Sequence, residues 1–425
     1  MPQIINPLSE SSDGLFENNP DKTSIEQFRF FHADEGKPLA TPWQVALSRA
    51  IMLREYQLPE GVILDCACGS GIQIAAYSEI LKRSIVGVEL NQNRARASAV
   101  NFRTIFTERR DDDIDRLKNS VFIVGDGRDG SAIKALLDLK DEPVAFLHLD
   151  PARPRNSRAH ALSEMEPRLD EVFAGWKPHL KCGETGPAIL LDLSPRLSST
   201  QMLEVEDLVE KFWPKTSKTW TWTSRGGGRI DRLALWLGAI AEPNSPRRFV
   251  RIPPEPTTPP FILLGGKSIT EQESGLNKPY VQPQRGYYAS IIDAALVESG
   301  LADDWLSTMS IGTYVWAESK GRRPIIYHQK AIEATSSKYA NLVVATGRIV
   351  DLINTELVIE SADKFVDIFL HHDIAKLTIR ASLDPSHQPK LQGSFDRQLA
   401  KRHGSKKAFL LQNPNGENYL LCVTN

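Results

Sequence analysis

The run Leu64-Asp65-Cys66-Ala67-Cys68-Gly69-Ser70-Gly71 constrains this chain more than any other segment. Val62 to Leu64 suit a buried strand, Asp65 ends it, and two glycines turn the backbone. From Ile72 to Lys82 apolar residues return at helical spacing. Glycines at such a turn let a ligand lie against bare backbone, and the helix start beyond them offers unpaired N–H groups. A strand, a glycine turn and a helix in that order predict an α/β fold that holds a nucleotide-like molecule at this point.

The turn excludes two familiar ligands. Ile74 stands where a dinucleotide-binding turn places its third glycine, and no Gly-Lys-Ser/Thr follows to cradle phosphates. Asp65, four residues before the first glycine, would repel a pyrophosphate and attract a cation. S-adenosylmethionine carries an ammonium and a sulfonium and no phosphate. The segment resembles the first motif of class I S-adenosylmethionine-dependent methyltransferases. Two further strands fit, Ser84 to Glu89 and Ser120 to Asp126, each ending in an acid. The resemblance implies that Glu89 meets the ribose hydroxyls and Asp126 the adenine amine. It makes Asp65, Ala67, Gly69, Gly71, Glu89, Leu90, Asp126 and Gly127 the candidate cofactor contacts.

A length of 425 residues predicts two to three domains. A net charge of -2 excludes a polycation that grips nucleic acid everywhere, but not a local basic face. No apolar run reaches the roughly 18 residues that span a bilayer, and residues 1–19 lack the basic start and apolar stretch of a signal peptide. Four cysteines predict a reducing, cytoplasmic setting without a disulfide framework. Cys66 and Cys68 read as small thiols packing the turn, and no metal site is expected.

Four regions are expected: a polar tail with N-terminal helices (1–55), a methyltransferase domain (56–241), a proline-rich linker (242–285) and an α+β domain (286–425). The first has helices over Ser24–Phe31 and Pro42–Tyr56, the latter opened by Thr41-Pro42. In the second, five β-α repeats and a hairpin around Arg225-Gly226-Gly227-Gly228 predict a doubly wound, Rossmann-like sheet. It resembles the seven-stranded methyltransferase core, whose last strand runs antiparallel. Seven prolines between Pro243 and Pro260 mark the linker. The α+β domain is read with a helix over Ala289–Leu306, another over Ala362–His371, a basic helix over Ser394–His403 and a final hairpin, Ala408–Val423.

The fourth strand of the sheet ends in Asp150-Pro151-Ala152-Arg153. This resembles the D-P-P-R and D/N-P-P-aromatic motifs of nucleic-acid methyltransferases. Methyl transfer needs a lone pair held in line and water excluded. Asp150 and the Pro151 carbonyl can accept from the amino group of a base, which makes them the candidate catalytic pair. Arg153, Arg155 and Arg158 suit phosphates. Strand five ends Asp192-Leu193-Ser194-Pro195 without the thiol that uracil C5 methylation requires. His148 reads as a packed core residue.

These elements, with the run ending Leu235-Trp236-Leu237-Gly238, resemble a narrower group: prokaryotic class I methyltransferases with a THUMP-like, ferredoxin-like C-terminal domain. The group implies an RNA methyltransferase acting on tRNA or rRNA. Its members usually carry a lysine where this chain has Asp192. In the C-terminal region Lys390, Arg397, Lys401, Arg402, Lys406 and Lys407 gather around one predicted helix with only Asp396 among them, so Arg397, Lys401 and Arg402 join the candidate RNA contacts. Tyr287, Tyr288, Trp305 and Trp316 suit core packing better than base stacking. Two other readings stay open, a noncatalytic RNA-binding protein on the same fold and a methyltransferase for a protein or small molecule.

Overall fold

The structure is a computed structural model that describes residues 2–17, 28–33, 41–137, 143–153, 161–255, 258–269, 282–332, 342–414, 416 and 418–424. Two compact units emerge, one of residues 1–225 and 230–272, the other of 226–229 and 273–425.

The first unit is built on one ten-stranded sheet. In chain order its strands are β1 (Gln3–Ile5), β2 (Val62–Asp65), β3 (Ile85–Glu89), β4 (Val121–Val124), β5 (Val144–Leu149), β6 (Ile189–Leu193), β7 (Lys218–Ser224), β8 (Arg232–Leu237), β9 (Arg247–Arg251) and β10 (Phe261–Gly265). They lie in the order β1-β4-β3-β2-β5-β6-β8-β7-β9-β10. Strands β2 to β6 are parallel, and β8 inserts antiparallel between β6 and β7. The parallel strands are mainly apolar because both faces are covered, with His148 and Asp192 set within β5 and β6; all of β2, β3, β5 and β6 is buried. The helices are α1 (Trp43–Leu53), α2 (Ile72–Leu81), α3 (Gln92–Glu108), α4 (Ile114–Lys118), α5 (Gly130–Leu136), α6 (Leu169–Trp176) and α7 (Ser199–Phe212). Helix α7 starts on a reciprocal cap, with Gln201 N donating to Ser198 Oγ at 3.2 Å and Ser198 N to Gln201 Oε1 at 2.9 Å.

Three expectations are corrected. The N-terminal segment is part of the sheet, because Gln3–Ile5 pairs antiparallel with β4. Helix α1 buries Trp43, Val45, Ala46, Ala50 and Leu53 in the same core as α2, with Pro42 capping it from just outside. Phe31 lies in a two-residue strand paired with Phe16–Glu17 rather than a helix, while residues 24–27 fall outside the described part. The stretch 242–285 is not simply a linker, since β9 and β10 extend the sheet and the prolines flank them; Pro253 and Pro254 follow β9 and Pro259 and Pro260 precede β10.

The second unit holds β11 (Tyr288–Ile292), β12 (Tyr314–Glu318), β13 (Ile325–His328), β14 (Val343–Ile353), β15 (Ile374–Arg380), β16 (Lys406–Gln412) and β17 (Tyr419–Val423). Their order is β12-β13-β11-β14-β17-β16-β15. Its helices are α8 (Ala294–Glu298), α9 (Ala302–Ser307), α10 (Ala362–His371) and α11 (Gln388–Leu399). One face packs on α10 and α11 through Phe365, Phe369, Leu377, Ile379, Leu391 and Phe395. The other gathers Ile291, Tyr327, Ile349, Phe409 and Leu411. The helix expected over Ala289–Leu306 is instead strand β11 followed by α8 and α9. Ser290-Ile291-Ile292 pairs with β14, and Ser290 and Ile291 pair with β13 as well; two ladders override the alanine-rich pattern.

Candidate active site

The carboxyl ends of β2, β3, β4 and β5 bring the sequence-predicted residues together. Asp65 ends β2, and its Oδ1 accepts from Ala67 N at 3.1 Å, which sets the first bend of the turn. Gly69 and Gly71 take left-handed φ values of 56° and 72°. Around Gly71 a Cβ would meet Ser98 Cα at 2.8 Å, whereas around Gly69 it would meet nothing within 4 Å. Helix α3 pins the turn from behind, as Ser98 Oγ donates to Gly69 O at 2.8 Å and Asn101 Nδ2 to Ser70 O at 2.8 Å. Helix α2 begins at Gly71 with no side-chain cap. The turn is therefore held rigidly on one side and left bare on the other.

Glu89 closes β3 and accepts from Gly69 N at 3.1 Å and Asn91 N at 2.9 Å. Burial pushes its carboxyl above the ordinary range. The next residue, Leu90, is 70% exposed, an apolar side chain open to solvent beside the turn. Asp126 is held by Arg128, whose Nε donates to it at 2.9 Å and whose Nη2 donates at 2.6 Å. This charge-assisted pairing lowers its pKa. Gly127 packs against Cys66, where a Cβ would fall 2.0 Å from the carbonyl oxygen. Cys66 and Cys68 are buried free thiols, and burial pushes both pKa values up, as suits packing groups.

Behind this surface lies a buried chain of charges. His148 Nδ1 stands 2.8 Å from Asp65 Oδ2, and its Nε2 stands 3.2 Å from Asp192 Oδ2. Arg49, from α1, grips both oxygens of Asp192. Gln73 Nε2 lies 2.7 Å from His148 Nε2 and 3.2 Å from Asp192 Oδ2. Arg49, Asp65, His148 and Asp192 are all at most 3% exposed. Burial works against a charged imidazole, but the two carboxylates outweigh it and push His148 up to about 9. The same balance holds Asp192 far below the ordinary carboxylate range, because Arg49 and His148 overcome the cost of its burial. Two anions thus alternate with two cations. His148 is in the core as expected, yet it is a charged link there and not inert packing.

Asp150 follows β5 at the outer end of this chain. Its side chain is open to solvent, while desolvation by the protein around it and the charge of Asp192 raise it to about 6. Pro151 is buried, and Ala152 pairs with Glu166 through reciprocal 2.9 Å backbone bonds that fix the loop. Among the described residues, half-buried Arg153 finds no hydrogen-bond partner for its buried Nε and Nη2. Arg155 and Arg158 lie outside the described residues. Arg397, Lys401 and Arg402 belong to the second unit, exposed on and just after α11. Sequence reading missed Arg49 and Gln73, which lie on helices whose buried residues are mostly apolar.

No family model matches the sequence, and no curated protein matches it. Several solved structures are loosely similar to part of it. An rRNA methylase from Streptococcus thermophilus is 12% identical, with 48% of this chain and 99% of that one covered and a TM-score of 0.30. A precorrin-6y C5,15-methyltransferase from Geobacter metallireducens is 12% identical, with 48% and 92% covered and a TM-score of 0.30. The glycopeptide N-methyltransferase MtfA, solved with S-adenosylmethionine, is 15% identical, with 45% and 93% covered and a TM-score of 0.29. Likenesses this loose decide nothing by themselves. The architecture rests on the chain's own strand order: a mixed α/β unit with a large, mostly parallel sheet, consistent with a Rossmann-like methyltransferase fold.

Proposed function

We propose that the first unit is an S-adenosylmethionine-dependent methyltransferase that modifies a base nitrogen of RNA, tRNA or rRNA, with the second, THUMP-like unit docking the RNA. The observation that carries this reading is the order β4-β3-β2-β5-β6-β8-β7, with the bare Gly69 turn and Asp150 at neighbouring strand ends. The residues fit the cofactor. Gly69 leaves open space where any other residue would place a Cβ, α2 is uncapped, and Leu90 offers an apolar surface at the end of β3. The side-chain oxygens of Asp65 and Glu89 keep acceptor capacity beyond the hydrogen bonds they already make. When bound, the cofactor supplies an electrophilic methyl group on its sulfonium.

The chain's own residues do the rest. Asp150 accepts from the amino group of the base and orients its nitrogen, and the positive charge of Arg153 beside it favours an adjoining phosphate. Calorimetry with S-adenosylmethionine tests the first half, and absence of binding by the purified chain ends this reading. Mass spectrometry of nucleosides from cells with and without the gene tests the second, since a missing methylated nucleoside names the base. An unchanged nucleoside profile, beside intact cofactor binding, would point to a protein or small-molecule substrate.

A further inference from the structure

The basic residues of the second unit do not form one patch. Lys390 and Arg397 are exposed on α11, and Lys401 and Arg402 follow it, on the layer whose seam Leu391, Phe395 and Leu399 bury against the sheet. Lys407 lies elsewhere. It pairs with Lys376 across the parallel ladder of β16 and β15, and β15 is the edge of the sheet. Beyond Lys376 the side chains alternate. Leu377 and Ile379 enter the core under α10 and α11, so Lys376, Thr378 and Arg380 share the opposite face with Lys407, Phe409 and Leu411. Half-buried Arg323, before β13, feels the like charges of Arg380 and of its neighbour Arg322.

Like charges directly across a ladder destabilise a sheet, and none of these five cations is offset. Among the described residues Lys376, Lys407, Arg322, Arg323 and Arg380 make no side-chain hydrogen bond or ion pair, and Arg380 Nε is buried without a partner. Lysines on edge strands also keep sheets from pairing, but that task needs fully solvated charge. A guard residue would not bury its guanidinium nitrogen beside a second half-buried arginine. From Lys376 to Arg380 the row runs about 13 Å along the strand. That is too long for one phosphate ion and suits a chain of them.

We propose that Lys407, Lys376 and Arg380 form a track for the sugar-phosphate backbone of RNA, on the sheet face opposite α11. This deepens the RNA reading given above and rests on it. The guanidinium fork suits bidentate phosphate contacts, and the lysines act as point charges.

The test is binding of fluorescein-labelled bulk tRNA to the full-length chain, followed by anisotropy across a salt series. Lys376→Gln/Arg380→Gln should weaken binding at least tenfold and flatten the dependence of log affinity on log salt by between one and two. Lys364→Gln, an exposed lysine of α10 on the other side of the sheet, should change it less than threefold. Thermal unfolding checks that each variant folds, and Lys376→Ala/Lys407→Ala, both exposed, repeats the experiment without touching Arg380. Wild-type affinity in both track variants overturns the track alone. Wild-type chain that takes up S-adenosylmethionine but no tRNA overturns the RNA reading as well. Equal retention by anionic phospholipid vesicles of matched phosphate content, lost in the same variants, overturns RNA as the occupant.

Discussion

Raising the pH probes the buried charge chain without changing a residue. His148 titrates at about 9 in the folded protein, against about 6.5 for an ordinary imidazole. At about 1.4 kcal/mol for each pH unit, its protonation between Asp65 and Asp192 stabilises the fold by about 3 kcal/mol. The folded value lies above the unfolded one, so this stabilisation is whole below about pH 6.5 and is lost as pH rises through about 9. Set against a net stability of about 5–15 kcal/mol, the loss is large. Urea unfolding followed by tryptophan emission reads it, since six of the eight tryptophans lie in the first unit. With a slope of about 3 kcal/mol per molar urea, the midpoint should fall by about 1 M between about pH 6.5 and 9.5. His148→Gln keeps neutral hydrogen bonding and removes the titration. It should be less stable at the lower pH and nearly flat across the range. Equal declines in both proteins would refute the argument, because the loss would then belong to tyrosines and lysines elsewhere.

The remaining predictions concern the open side of the site. Asp150→Ala should abolish methyl transfer while leaving S-adenosylmethionine affinity, read by calorimetry, within about twofold. Asp150 is raised to about 6, so transfer should fall as pH drops through that value; Asp192→Asn removes the nearby charge that raises it and should move this acid limb to lower pH in a pH–rate profile. Gly69→Ala meets no atom but sits at positive φ, so it should cost about 1–2 kcal/mol and still fold while losing cofactor affinity. Gly127→Ala drives a Cβ into the Cys66 carbonyl and should fail in thermal unfolding itself. Leu90→Ser should leave stability within about 0.5 kcal/mol, because the side chain is already exposed, and weaken cofactor binding several-fold.

Much of the first unit was legible because its signals are local. An acid at the end of an apolar run, then glycines, then helical spacing, fixes β2, the turn and α2 within a single stretch, and the same logic finds β3 to β6. What was not legible depends on residues far apart in the chain. Arg49 and Asp192 are 143 positions apart, and no local pattern couples them. The available clue was compositional: Arg49, His148 and Asp192 each interrupt an otherwise buried apolar face, and a buried charge requires a partner. Proline misled the reading of 242–285, since prolines that flank a strand look like prolines that forbid one. Alanine misled the reading of 289–306, where pairing on both sides of β11 outweighed helix propensity.

Asp192 carries the last step. A lone aspartate at that point of the fifth strand would add a second negative charge near Asp150. The chain supplies a cation from α1. Arg49 neutralises Asp192 through two charge-assisted bonds, and protonated His148 spans from Asp192 to Asp65. Helix α1 is therefore part of the site as well as of the core. Removing only Arg49 would strand a buried carboxylate, at a cost of about 3–5 kcal/mol. Arg49→Met with Asp192→Leu removes both charges and should recover most of that loss. It should not recover the rise in His148, because one of the two carboxylates holding the imidazole charged is gone. Fold and charge chain are thus separable in this chain by experiment: the double variant should fold, fall short of wild-type stability at neutral pH by the share of the His148 contribution it has lost, and decline less steeply than wild type as pH rises towards 9.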